Sequence, residues 1–303
     1  NSIQNNTIRK IDFTTNSPAA GASMFIGINL GQGVFNVGDI TGNIIGDSTG
    51  NDVIKININA GGTANSFLAG ILAAATNGFF NIQNNTIGGI TVSGTTTTGA
   101  IVSQWIQVQG TPVQNTTISN NLIGSTSTPN SIRVTATAPS VISFGLRHLI
   151  TSGVGLNCNN NIIQNVTDAS TNATSSDYGM LLISTVGSQG TLNVTNNTIK
   201  NFTGNSSPAT ASISCLGIAV QGHAGTTHDL SGNSISGLSN TNPGAFASYV
   251  IGMQTQGSSM GGVMNKNKIF DLNNSNTGSA GLAGIYITAG LDWTLNNNRI
   301  SIS

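Results

Sequence analysis

Apolar and polar positions recur together along this chain. The unit reads apolar-x-x-Asn-x-Ile, and it is clearest in Val194-Thr195-Asn196-Asn197-Thr198-Ile199. Its Asn falls at Asn6, Asn43, Asn85, Asn121, Asn161, Asn197, Asn233, Asn267 and Asn298, spaced by 37, 42, 36, 40, 36, 36, 34 and 31 residues. The residue two places on is Ile every time, from Ile8 to Ile300. The residue three places back is apolar every time: Ile3, Ile40, Ile82, Ile118, Cys158, Val194, Leu230, Met264 and Leu295. A second series, Gly-apolar-x-apolar, runs in phase at Gly27, Gly70, Gly145, Gly179, Gly217, Gly252 and Gly284, and one repeat replaces its Gly with Trp105. Period-2 alternation predicts strands at both series, with a further short strand such as 87–92 after each Asn-x-Ile. Gly/Ser/Thr/Asn/Pro loops, for example 14–23, 126–140, 167–176, 203–212 and 240–247, absorb the unequal spacing, because surface insertions cost little. Two alternating patches, 53–58 and 132–134, read as protruding hairpins or extra edge strands.

Strands, turns at fixed offsets and no helical periodicity predict an all-β fold. A single parallel β-solenoid over residues 1–303 fits, with about eight coils of 31–42 residues, uncapped at both ends. Coils stacked at roughly 4.8 Å would make a rod on the order of 40 Å long. The Ile residues then form an apolar column, and the nine Asn form an amide ladder. By strand parity the Gly column is expected to face outward, leaving a shallow strip on which Trp105 is the one large group and the one candidate binding residue.

Composition sharpens this picture. Charged residues are 6% of the chain, against roughly 25% in ordinary soluble domains, and the formal net charge is zero. No basic stripe is present to hold nucleic acid, and no run of 18 or more apolar residues is present to span a membrane. Nine Asp and no Glu leave little for acid–base chemistry. A polysaccharide hydrolase needs carboxylates converging on one sugar bond. Here Asp47 with Asp52, and Asp168 with Asp177, are expected to be near one another only along loops. His148 falls in the inward column beside Leu182 and Val220. His223 and His228 flank a turn and read as surface groups, with ligation of one ion as the sharper alternative. Cys158 lies in the apolar column and reads as a buried thiol, and Cys215 belongs to another strand and coil, so no disulfide is expected. Asn-x-Ser/Thr matches such as Asn5, Asn84, Asn172, Asn196 and Asn205 come mostly from the repeat itself.

The Asn-Asn-Thr-Ile and Asn-x-Ile-x-Asn repeats resemble those of right-handed parallel β-helix repeat proteins. They look most like the Asn/Thr/Gly-rich secreted or cell-surface versions found in Bacteroidota. That resemblance spans the chain and implies a fold that hosts polysaccharide-degrading enzymes, adhesins and structural surface proteins alike. The expectation is a non-catalytic, cofactor-free and metal-free structural component of an extracellular fibre or cell-surface stalk. It would associate end to end or continue as a longer chain. The alternative is a carbohydrate-binding adhesin or a polysaccharide-degrading β-helix enzyme, with surface glycan as partner.

Overall fold

The fold is that of a computed structural model, which describes residues 1–16, 23–60, 64–171, 176–184, 190–205, 212–245, 247–257, 260–288 and 290–302. Asn172 and parts of four of the five loops named above lie outside the described residues. Every described strand pairing is parallel, and no helix occurs among the described residues. Three sheets result. Sheet A has nine strands, running from Ser2–Ile3 and Val34–Val37 through Leu192–Thr195 to Trp293–Asn296. Sheet B has thirteen, because four early coils split it into pairs such as Thr86–Gly88 and Ile90–Thr96, whereas later coils use one strand such as Thr198–Gly204. Sheet C has eight, from Ser23–Leu30 to Ala280–Ile287. The chain visits A, B and C in turn, a parallel β-solenoid.

The turn from A to B explains the Asn-Asn dipeptide. The first Asn takes the left-handed conformation at Asn5, Asn84, Asn120, Asn160 and Asn196, with φ between 54° and 57°, a region Asn tolerates better than most residues. The second Asn then points inward as the ladder residue. The Ile two places on is fully buried from Ile45 to Ile269, in register from coil to coil, as Ile163↔Ile199 and Ile199↔Ile235 show.

Four expectations need correction. Ile40 does not stand in the apolar column: it is 82% exposed, and Val37 pairs with both Ile3 and Ile82 in its place. The patches 53–58 and 132–134 do not protrude: Ile54–Ala60 and Ile132–Val134 are ordinary members of sheet B, each paired to Ile90–Thr96. What protrudes is the chain just before them. Ser125 and Thr128 donate to the carbonyls of Ser48 and Thr49, so two excursions clasp across the intervening coil.

The Gly column faces inward, not outward. A Cβ built on Gly179 would lie 2.7 Å from the Gly217 carbonyl and 2.8 Å from Ile199 Cδ1. The same two partners, the Gly carbonyl and the Ile of the next coil, meet Gly27, Gly145, Gly217 and Gly252. Glycine is thus dictated by close approach of backbone and Ile side chain. Along Val141–Ile150 the buried positions are 141, 143 and 145 before this point and 146, 148 and 150 after it, while Phe144 joins an outer cluster. The strand turns a corner at its Gly, and parity shifts by one there. Trp105, which replaces Gly in this column, is accordingly 0% exposed inside the main apolar core. It presents no stacking surface to a glycan.

Candidate functional site

The amide column is the feature the sequence placed best. Each Asn donates from its backbone N and from Nδ2 to the Oδ1 of the next Asn. For Asn197 those bonds to Asn233 are 3.0 and 3.1 Å, and Asn161 reaches Asn197 at 3.0 Å from both donors. The second Nδ2 hydrogen bonds back to a sheet A carbonyl, as Asn197 does to Cys158 at 2.8 Å. The pattern runs unbroken from Asn6 to Asn298. Seven members, Asn43 through Asn267, are at most 1% exposed. A buried amide has to find partners, and here its neighbours one coil away supply them.

Asp168 and Asp177 were expected to meet only along a loop. They are instead brought together in the interior, where the end of a sheet B strand faces the start of a sheet C strand. They are 2% and 0% exposed. Asp168 Oδ1 accepts from the Ser170 backbone N at 2.8 Å, and Asp177 Oδ1 accepts from Ser143 N at 3.0 Å. Burial pushes both carboxyls upward from the ordinary carboxylate range, and repulsion from Asp168 adds to the rise at Asp177. Asp177 Oδ2 has no hydrogen-bond partner among the described residues, so burial favours the neutral acid there over an unpartnered charge. Gly204 in the next coil makes room: a Cβ there would sit 2.5 Å from Asp177 Oδ2. Cys215 lies in register beside Asp177, and burial, then the Asp177 charge, raise its thiol. Cys158 is raised to about 12 by burial, and both cysteines are free and buried.

His148 lies where its column places it, paired with Leu182 and fully buried, and burial lowers it to about 3. His223 and His228 are not surface groups: they are 1% and 2% exposed, with ring centroids 6.2 Å apart and edge-on. Burial, then the proximity of His148 and His228, lowers His223 to about 3. His228 Nδ1 accepts from Leu192 N at 3.2 Å, which leaves its proton on Nε2. Among the described residues no group of three or more His, Cys or Asp is placed to hold a metal ion.

The outer face of sheet C was missed entirely. Phe144, Leu181, Leu216, Ala219 and Ile251 form a second apolar cluster there, with Phe144 stacked on Tyr178 at 5.2 Å and Arg147 over the Phe144 ring. Towards the last two strands this face opens into a groove of about 390 Å³. The signal that could have found it is the run of aromatic and Gln residues on alternate positions of the Gly-series strands. Comparison with protein-family models, with curated proteins and with solved structures finds no match.

Proposed function

We propose that this solenoid is a structural element, a rod-like part of an extracellular fibre or cell-surface stalk that works without catalysis. The unbroken, buried Asn column carries this reading. It invests nine side chains and their backbone groups in joining coil to coil. Any continuation of the column, by further chain or by a second copy, has to run head to tail, because each Asn receives at Oδ1 from the coil before and donates to the coil after. The low charge and the single ion pair among the described residues, Arg9 with Asp47, fit an object stabilised by stacked amides rather than by surface electrostatics.

Electron microscopy of the protein as isolated from its source tests this. Filaments or long stalks with a stacking signal near ~4.8 Å are expected. Discrete short particles at micromolar concentration would refute it.

A further inference from the structure

The groove on the outer face of sheet C points to a second role, beyond the structural one. Its floor includes Ile251 and Ala283, and its rim carries Tyr249 and Tyr286, which are 44% and 46% exposed. Tyr249 lies over the backbone of Gly281: a Cβ there would meet its ring carbons at 2.3 and 2.4 Å. The missing side chain at Gly281 lets the ring lie along the sheet with one face to solvent. Gln254 lines the same groove, is 5% exposed, and its Oε1 accepts no hydrogen bond among the described residues. Thr288 adds a hydroxyl at the edge, and among the described residues no charged side chain lines the groove.

We infer that this groove binds a neutral glycan segment. Sugar rings present flat C–H faces that suit Tyr249 and Tyr286, which are apolar on the ring and polar at the tip. Gln254 and Thr288 set an amide and a hydroxyl in the lining, where sugar hydroxyls need polar partners. The absence of charge fits a neutral polymer and disfavours a uronate or a phosphate. The groove is open at its side, as a chain-like ligand needs.

Affinity gel electrophoresis of the intact chain tests this, with xyloglucan, mannan, xylan and dextran as neutral probes and polygalacturonate as the charged one. Retardation by at least one neutral polymer is expected. Tyr249→Ala, Tyr286→Ala and Gln254→Ala should each weaken it about tenfold. Tyr249→Phe should retain it, and Phe13→Ala, a half-exposed aromatic on sheet B, should not change it. Unfolding curves matching the wild type would separate lost binding from lost fold. No retardation by any neutral polymer overturns the inference. So do retardation by polygalacturonate alone, equal loss in Phe13→Ala, or unchanged binding in the tyrosine variants. A concentration-dependent dimer in sedimentation that disappears in Tyr249→Ala would assign the groove to a second copy of the chain instead, and would overturn it too.

Discussion

Asn197→Leu isolates what one rung of the amide column contributes. The substitution removes an acceptor and two donors. Asn161 N then loses its acceptor at 3.0 Å, and the Cys158 carbonyl loses its side-chain donor at 2.8 Å while keeping its place in the parallel ladder with Leu192–Thr195. Asn161 Nδ2 keeps its bond to the Ile118 carbonyl, and Asn233 Oδ1 keeps the bond from the residue 197 backbone N, so neither is orphaned. One buried donor without a partner, at about 1–3 kcal/mol, and one lost hydrogen bond, at about 1 kcal/mol, give a loss of roughly 2–4 kcal/mol. Asn6→Leu is the internal reference. Asn6 donates to Asn43 Oδ1 and to the Gln4 carbonyl, but its own Oδ1 accepts no hydrogen bond among the described residues. Its loss should cost under about 1 kcal/mol, the net value of an exposed hydrogen bond. Denaturant midpoints of the two variants, with amide hydrogen exchange to locate the loosened coils, measure the difference. Equal destabilisation would refute the argument, since it would mean that Asn→Leu acts through volume or propensity and not through the column.

Three further outcomes follow from the packing. Asp177→Asn should raise the melting temperature relative to wild type at pH 8 more than at pH 4. A carboxyl whose folded-state pKa is raised stabilises the fold fully only below its unfolded value, near 3.8, and that stability is lost as pH rises towards the raised value. The buried histidines titrate with the opposite slope, so the variant-minus-wild-type difference is the quantity to read, and a flat difference from pH 4 to 8 would contradict the upward shift of the Asp177 carboxyl. Gly179→Ala should destabilise by about 1–3 kcal/mol in urea titration, because its methyl has no space between the Gly217 carbonyl and Ile199. Ile40→Ser should lie within about 0.5 kcal/mol of wild type. Val37→Ala, by contrast, should lose roughly 1.5 kcal/mol or more for two buried methyl groups, in the same assay.

The column was legible because its period is enforced by covalent spacing and by one side-chain chemistry repeated at every rung. Ile40 was misassigned because three extra residues bulge out between Val37 and Asn43, and counting back from the Asn cannot see a bulge. The Gly column and Trp105 were misassigned because parity shifts at the corner of each sheet C strand. Asp168 and Asp177 look like loop residues in sequence, yet a corner between two sheets folds them onto one another. The groove was invisible since its members, Tyr249, Gln254 and Tyr286, come from two coils and are joined only by register.

The amide column also gives the rod an electrical direction. Every side-chain carbonyl from Asn43 to Asn298 points to the coil before it, since each accepts from the preceding Asn. Parallel-sheet peptide dipoles largely cancel, but these side-chain dipoles add, as they do in a helix. The column therefore has a negative pole at Asn6 and a positive pole at Asn298. Its two ends thus present opposite partial charges to any group that approaches along the column.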